Sequence, residues 1–273
     1  MADDIFTRID HGRTSDEVVQ QVESLILDGV LRVGDRLPGE RELSRQLDVS
    51  RPILREAIKT LEQRGLLISR HGGGTFVADV IGEIFSQPVM DLIGRHRRAT
   101  YDYLEYRREV EGIAAAFAAQ RATNADAELL TEIVDAMRTA HKEADFEREA
   151  ALDVEFHNAV GEAAHNIILL HTLRSCYRLL SDGVFFNRAL IFEFSGSGDR
   201  LLSQHIAIFE SILAGDSDNA KKNAELHIEA VARTLRQAER ASDWARVSSL
   251  RLQQRCNNGG TEQSNRKART KAK

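Results

Sequence analysis

Residues 37–57 read LPGERELSRQLDVSRPILREA, and this stretch predicts two short helices joined by a tight turn. The first is expected over about 39–47, and Ser50 is a suitable N-cap for the second. The second helix opens with small polar and basic residues, and Arg51 and Arg55 are four apart, so that they share one face. This order is typical of a helix-turn-helix, whose second helix enters the DNA major groove by its N-terminal end.

The flanking sequence extends this pattern to a winged helix-turn-helix over 13–78. Thr14-Ser-Asp-Glu17 is a capping box that predicts a preceding helix. After the second helix, 66–70 and 75–78 are strand-like and enclose the glycines 72–74, so a β-hairpin is expected. Residues 36–70 contain eight Lys or Arg residues and five Asp or Glu residues, so the local charge is positive although the net charge of the chain is −5.

The same residues also allow an interpretation without DNA. Arg51 and Arg55 can pair with Glu56 or Glu62, and the glycines can serve only the turn. Helix-turn-helix shapes also occur in ordinary helical proteins. Arginine, however, can donate two hydrogen bonds to the O6 and N7 edge of guanine or grip a phosphate. The pattern therefore favours DNA binding.

The sequence as a whole predicts a mainly α fold. The winged helix-turn-helix, of three helices and a β-hairpin, is followed by an all-α helical bundle. Residues 1–12 are expected to be a polar arm, 79–98 a linker and 99–240 a helical domain. Residues 241–273 are expected to be a basic, disordered tail, because 246–273 holds eight Lys/Arg, one Glu and few apolar residues. A solvated end without function is favoured over added phosphate contacts.

Composition indicates a cytoplasmic protein. The two cysteines, Cys176 and Cys256, are far apart and form neither a metal motif nor a disulfide framework. No apolar run approaches the 18 residues that a membrane-spanning helix needs. No membrane partner is expected.

One cluster of residues suggests a metal site in the helical part. Asp153 and His157 are four residues apart and therefore lie on one helical face, and His205 and His227 follow on later amphipathic stretches. Imidazole nitrogen and carboxylate oxygen suit Zn²⁺, Ni²⁺ or Mn²⁺. The chain has nine histidines, so a chance Asp/His pair is the alternative.

Residues 13–78 resemble the GntR family of bacterial regulators. The resemblance is carried by Leu37-Pro-Gly-Glu-Arg-Glu-Leu43, Val49-Ser-Arg-Pro-Ile-Leu-Arg-Glu-Ala57, Leu61-Glu-Gln-Arg-Gly-Leu66 and Arg70-His-Gly-Gly-Gly-Thr-Phe-Val77. It implies operator DNA as the partner, with base or phosphate contacts from the arginines and minor-groove contacts from the hairpin. The residues expected to touch DNA are Arg41, Ser50, Arg51, Arg55, His71 and Gly72.

Residues from about 104 to 235 resemble the FCD domain of the FadR branch of that family. The resemblance implies that the helical domain over 99–240 binds an effector and dimerises. The matching positions are Arg107 with Glu111, Asp153 with His157, Asn166, Gln204-His205 and His227. The resemblance implies that a divalent ion (Zn, Ni or Mn) is bound by Asp153, His157, His205 and His227. It also implies that Arg107 meets the carboxylate of a small organic acid. A structural pair of Arg107 with Glu111, one turn along, is the alternative.

Within this branch the sequence also resembles pyruvate-responsive repressors of pyruvate dehydrogenase and central-carbon genes. The similarity lies in 103–107, 110–115, 162–171 and 249–255. It implies a homodimer that binds a pseudo-palindromic operator and that dissociates from this DNA when pyruvate binds. The complete metal set is typical of lactate-responsive relatives, so L-lactate is the competing effector. No nucleophile with an adjacent base is present, so an enzyme is not expected, and a metal-dependent enzyme fused to a DNA-binding head is the alternative from another class.

Overall fold

The structure, a computed structural model, describes residues 5–8, 14–70, 72–79, 96–181 and 197–270. Of Arg97, residues 178–181, Ser197 and 256–270, it describes only the backbone. The N-terminal part is a winged helix-turn-helix, as the sequence predicts. Its elements are α1 (Ser15–Leu27), α2 (Glu40–Gln46), α3 (Arg51–Gln63), β1 (Leu67–Arg70) and β2 (Gly74–Val77).

Local sequence signals place the ends of these elements. Thr14 caps α1 in a complete capping box with Glu17. Ser50 is the N-cap residue of α3, but its hydroxyl accepts no capping hydrogen bond. The strands β1 and β2 pair antiparallel, with Leu67 opposite Val77. Both of these side chains are buried with those of α1–α3 in one apolar core.

The polar arm expected at the N-terminus contributes to this core. Phe6 is only 4% exposed and packs among the apolar side chains of the winged helix-turn-helix. The side-chain amide of Gln21 donates to the carbonyl oxygen of Thr7 at 3.1 Å. Arg8 pairs with Asp48 at 2.7 Å. One buried aromatic ring therefore holds a segment that is otherwise polar.

The described residues after 96 form six helices and no strand, in agreement with the all-α bundle that the sequence predicts. They are α4 (Arg97–Arg121), α5 (Asn124–Glu143), α6 (Phe146–Ala163), α7 (Ile167–Ser181), α8 (Ser197–Leu213) and α9 (Ser217–Thr270). The alanine-rich face of α4, with Ala114, Ala115 and Ala118 fully buried, packs inside the chain's own bundle. Among the described residues, none of the helices combines the length and the hydropathy needed to cross a membrane.

The C-terminal segment differs from the disordered tail expected from its composition. The backbone of α9 continues as a helix to Thr270. Most side chains of 241–255 are exposed, including Trp244 at 70%, so this extension adds almost nothing to the core. Extending an existing helix needs no new nucleus, and a polar sequence can therefore continue one that tertiary packing has already started.

Candidate functional site

The arginines predicted to contact DNA lie on α2 and α3 of the winged helix-turn-helix. Arg41 of α2 and Arg51 and Arg55 of α3 are all exposed. Glu40 joins the last two, because its carboxylate accepts from Arg51 Nε at 2.8 Å and from Arg55 Nε at 3.0 Å. The intrahelical pairing of these arginines with Glu56 or Glu62, considered above, is therefore not what the structure shows.

Glu40 holds both guanidinium groups at the start of α3. The hydrogen bond from Arg55 lowers the pKa of this carboxyl group below its ordinary value; burial opposes this effect, and the hydrogen bond from Arg51 adds to it. The side chains of Arg51 and Arg55 remain 56% and 65% exposed. Two positive groups are thus presented at the N-terminal end of the helix that a helix-turn-helix inserts into the major groove.

The hairpin tip combines open space with a backbone that favours glycine. Gly72 has a φ of +71°, and a Cβ atom there would meet nothing within 4 Å. Gly74 has a φ of +102°, and a Cβ atom there would lie 2.9 Å from Arg36 Nε. His71, predicted to reach the minor groove, lies outside the described residues. The tip at Gly72 can therefore approach another molecule closely.

Four potential metal ligands from three helices meet in the core of the helical domain. Asp153 and His157 lie on α6, His205 lies on α8 and His227 lies on α9. One ligand atom from each lies within 4.8 Å of the ligand atoms of the others, and all four residues are buried. Thus the structure brings together the four residues that the sequence indicated.

The distances in this cluster fit a transition metal. The Nε2 atom of His157 lies 3.2 Å from that of His205 and 3.3 Å from that of His227. Asp153 Oδ1 lies 3.1 Å from His205 Nε2 and 3.9 Å from His157 Nε2. Two nitrogens that each bind a tetrahedral zinc ion at about 2.0–2.1 Å are about 3.4 Å apart. A cation at the centre would also compensate for the burial of these nitrogen and oxygen atoms away from water.

A buried polar network extends from His157 to α4 and α7. Glu111 of α4 lies with Oε2 2.5 Å from His157 Nδ1. Its other oxygen, Oε1, accepts from Arg107 Nε and from the hydroxyl of Tyr177. Arg107 Nη2 in turn donates to Tyr177 Oη at 2.6 Å. Nothing in the sequence indicates that Glu111 or Tyr177 would reach the metal ligands.

Burial and neighbouring charges have opposite effects on the pKa values of Glu111 and His157 in this network. Burial by itself would raise the pKa of Glu111, but the positive charge of Arg107 and the contact with His157 hold it at about 2. Burial lowers the pKa of His157, against the effect of Glu111. Burial also raises the pKa of Tyr177 well above its ordinary value. Arg107 is paired with Glu111 in the structure. This is the structural pair that the sequence indicated as the alternative to a contact with an organic acid.

Little empty space adjoins these groups. The cavity between Glu111, His157 and the apolar side chains of α4, α7 and α8 has a volume of about 10 Å³. This is room for about one water molecule. A second cavity of about 10 Å³ is lined by His205, His141 and Glu149, among others. Neither of these two cavities can hold a three-carbon acid unless side chains move.

His141 forms a separate cluster with two carboxylates. Its Nδ1 atom lies 3.1 Å from Glu149 Oε1, and its Nε2 atom lies 2.8 Å from Asp199 Oδ1. These contacts join α5, α6 and the beginning of α8. The hydrogen bond with Asp199 raises the pKa of His141; burial opposes this and Glu149 adds to it.

This cluster predicts a pH-dependent contribution to stability. A pKa raised in the folded state stabilises the fold below the ordinary value of 6.5, and the contribution is lost as pH rises through the raised pKa. We expect His141→Gln to lower the free energy of unfolding by about 1 kcal/mol or less near pH 5.5, and by less near pH 8.5. Urea denaturation in excess chelator measures both values. An equal loss at both pH values would contradict the prediction.

Polar contacts join the winged helix-turn-helix to α6 and α7. Glu162 of α6 accepts from Arg32 Nη2 at 2.8 Å and from Arg174 Nη2 at 2.6 Å. His171 Nε2 of α7 lies 2.9 Å from the carbonyl oxygen of Leu27, at the end of α1. The cleft beside these contacts has a volume of about 740 Å³. Glu162 lies on α6 together with the potential metal ligands Asp153 and His157, and His171 lies on α7 together with Tyr177. The same two helices therefore contact both the winged helix-turn-helix and the ligand group.

Comparison with known proteins assigns both parts of the chain. The description "Bacterial regulatory proteins, gntR family" matches residues 14–77, and the description "FCD domain" matches residues 102–230. The sequence is 37% identical over 243 residues to an Escherichia coli (strain K12) protein named for regulation of the L-lactate dehydrogenase operon. That alignment covers 87% of this chain and 93% of the relative. The chain belongs to the GntR family.

A second curated relative agrees with this assignment. The sequence is 33% identical over 225 residues to the Glc operon transcriptional activator of Escherichia coli (strain K12), with 81% of this chain and 89% of that protein covered. Among solved structures, the Streptococcus agalactiae GntR protein matches 81% of this chain and 99% of its own, at 25% identity and a TM-score of 0.49.

The two matched segments divide the candidate residues between them. The GntR segment holds the exposed arginines and Gly72, and the FCD domain holds Arg107 and all four potential metal ligands. A GntR protein with an FCD domain is a DNA-binding transcriptional regulator of the FadR branch and not an enzyme. FCD domains bind metal ions, and this one contains a buried group of three histidines and one aspartate suited to that purpose.

Proposed function

We propose that this GntR regulator is a metal-dependent sensor of a small 2-hydroxy or 2-oxo carboxylate that represses genes of organic-acid metabolism. The observation that carries the proposal is the buried group of Asp153, His157, His205 and His227 in the same domain as the buried Arg107. A bound divalent ion would offer its charge to the oxygens of such an acid. Arg107 would pair with the carboxylate, for which a guanidinium is chemically suited.

L-lactate is the first effector to test, and pyruvate the second. The relative named for the L-lactate dehydrogenase operon supports lactate, because its similarity extends over almost its whole length. The sequence similarity to pyruvate-responsive repressors supports pyruvate and the regulation of pyruvate dehydrogenase and central-carbon genes. Both acids carry an oxygen next to the carboxylate, and the donor set suits Zn²⁺, Ni²⁺ or Mn²⁺.

We propose that two copies of the chain bind one pseudo-palindromic operator. A helix-turn-helix protein that reads two half-sites does so as a dimer with two-fold symmetry. Arg41, Ser50, Arg51, Arg55, His71 and Gly72 of each copy would face the DNA. Exposed apolar side chains on α4, such as Tyr106 at 50%, support a second copy as a partner.

A genomic pull-down tests this function directly. The purified protein is mixed with fragmented genomic DNA, and bound fragments are sequenced without acid, with millimolar L-lactate and with millimolar pyruvate. Enrichment of promoters of organic-acid genes that one acid abolishes would support the regulator and name its effector. Enrichment that neither acid changes would contradict the proposed effector class.

We propose that Glu162 transmits the effector signal to the DNA-binding part. It joins Arg32 to Arg174, and it lies five residues beyond His157 on α6. An effector shifts operator affinity only if it binds the two conformations unequally. A residue that contacts both parts is well placed to distinguish these conformations.

We expect Glu162→Gln to reduce the ratio of operator affinities measured without and with effector. Residues that couple two sites contribute about 0.5–2 kcal/mol, so the ratio should fall about 2- to 30-fold. Fluorescence anisotropy of a labelled operator measures it. Asp135→Asn is the control, because Asp135 pairs with Arg138 at 2.7 Å on the exposed face of α5. An unchanged ratio in Glu162→Gln would show that coupling takes another route.

A further inference from the structure

Glu111 is a buried carboxylate whose two oxygens serve different partners. Its side chain is 4% exposed. Oε1 accepts from Arg107 and Tyr177, whereas Oε2 lies 2.5 Å from His157 Nδ1. The carboxylate is thus held on one side by α4 and α7 and contacts a potential metal ligand of α6 on the other.

This contact determines which nitrogen of His157 carries the proton. An ionised carboxylate only accepts hydrogen bonds, so the nitrogen facing it must be Nδ1–H. A neutral imidazole has one N–H, and Nε2 is therefore left with its lone pair. Nε2 is the atom that lies 3.2 Å and 3.3 Å from the Nε2 atoms of His205 and His227. The lone pair is directed at the centre of the ligand group.

The ring of His157 is also fixed in orientation by its neighbours. It stacks on the ring of Tyr177 with a centroid distance of 5.4 Å and an interplanar angle of 21°. The ring of Phe156 meets it edge-on at 5.5 Å. Glu111 and Tyr177, which are hydrogen-bonded to each other, therefore hold the imidazole by its edge and by its face.

We propose that Glu111 is a positioning residue of the metal centre, which holds His157 as the Nδ1–H tautomer and increases the affinity of its Nε2 for the ion. A carboxylate that accepts from the distal nitrogen of a ligand histidine fixes the tautomer and makes the ligand more basic. The inference rests on the proposed metal site. It also gives Arg107 a second role, since the guanidinium proposed to meet the effector holds the carboxylate that orients a metal ligand.

The test compares zinc affinity in three variants and the wild-type chain. In Glu111→Gln we expect the dissociation constant for Zn²⁺, measured by competition with a chelator, to rise about 10- to 100-fold. Glu149→Gln is the matched control, because Glu149 is also buried and also contacts a histidine Nδ1, at 3.1 Å, but that histidine is His141. Its zinc affinity should stay within about twofold of wild type.

A third variant covers the possibility that Glu111→Gln does not fold. Removing one member of a buried ion pair leaves an uncompensated charge, whereas replacing both members is often neutral. Arg107→Met combined with Glu111→Gln removes both charges and should bind zinc as weakly as Glu111→Gln alone. Nitrogen-15 NMR of the histidine rings gives an independent readout, because only the wild-type chain and the control should keep His157 entirely as the Nδ1–H tautomer.

The outcomes separate the positioning role from the proposed function. If the wild-type chain binds zinc and both Glu111 variants bind it equally well, the positioning role is wrong and the metal site stands. If the variants lose only thermal stability in the metal-free state, Glu111 serves the fold alone, and the inference is likewise wrong. If the wild-type chain binds none of Zn²⁺, Ni²⁺ and Mn²⁺, the metal site of the proposed function fails, and the inference fails with it.

Discussion

Replacing His205 by alanine should lower the affinity for a divalent metal about 10²- to 10³-fold, because a four-ligand zinc site contributes about 10–16 kcal/mol in total. His205 is 1% exposed, and its Nε2 lies 3.1 Å from Asp153 Oδ1 and 3.2 Å from His157 Nε2. Water has little access to the position that the ring leaves. Mass spectrometry of the purified protein should find about one metal ion per wild-type chain and almost none in the variant.

Thermal and chemical stability give a second measure of this effect. At a metal concentration 1,000 times the wild-type dissociation constant, binding raises the free energy of unfolding by about 4 kcal/mol. The same concentration should add only about 0.4–1.4 kcal/mol in the variant. The variant should also respond weakly to effector, while its effector-free operator binding stays close to that of wild type.

His141→Ala is the control for this prediction. His141 lines the same small cavity as His205 but contacts Glu149 and Asp199 and is not among the four ligands. It should keep its metal content. If the wild-type protein contains no metal and added metal changes neither stability nor effector response, the four residues form a structural cluster and the metal-dependent sensor is wrong.

Arg51→Ala should weaken operator binding by about 1–3 kcal/mol, or roughly 5- to 150-fold, because one arginine that reads a guanine contributes this much discrimination. Arg51 and Arg55 lie at the N-terminal end of α3 and share Glu40, so that Arg55→Ala should have an effect of the same order. The measurement is anisotropy titration of an operator fragment recovered from the genomic pull-down, at one fixed salt concentration. Effector and metal affinities should not change.

Arg64→Ala is the matched control, since Arg64 belongs to the other end of the same helix. It pairs with Glu23 at 2.6 Å and is 51% exposed, much like Arg51 with Glu40. Loss of an exposed ion pair alone costs about 0–1 kcal/mol. Equal operator affinity in Arg51→Ala and wild type, or an equal loss in Arg64→Ala, would contradict the assignment of the N-terminal end of α3 to DNA.

Much of the fold follows from local signals in the sequence. The capping box of Thr14 and Glu17 and the strand-like segments around the glycines indicate the elements that the structure contains. Helical periodicity also places Arg51 with Arg55, and Asp153 with His157, on common faces. These features depend on residues within one or two helical turns, where the geometry of the backbone sets the distances.

Composition was a weaker guide at both ends of the chain. Phe6 lies in a segment that is otherwise polar, and one aromatic ring with a place in the core is enough to hold it. The segment after 241 has the composition of a disordered tail, yet its backbone continues α9 to Thr270. In both places the neighbouring structure decides, because it supplies a cavity for the ring or an existing end for the helix.

The sequence by itself determined the helix-turn-helix, the all-α second domain and the types of the four potential metal ligands. Only the tertiary structure decided that His205 and His227, 48 and 70 residues beyond His157, meet it in one buried site. It also decided that Glu40 pairs with both Arg51 and Arg55 of α3, and that Glu111 of α4 contacts His157 of α6. Spacing along the chain sets distances within a helix, whereas distances between helices depend on how their side chains pack, and no single segment contains that information.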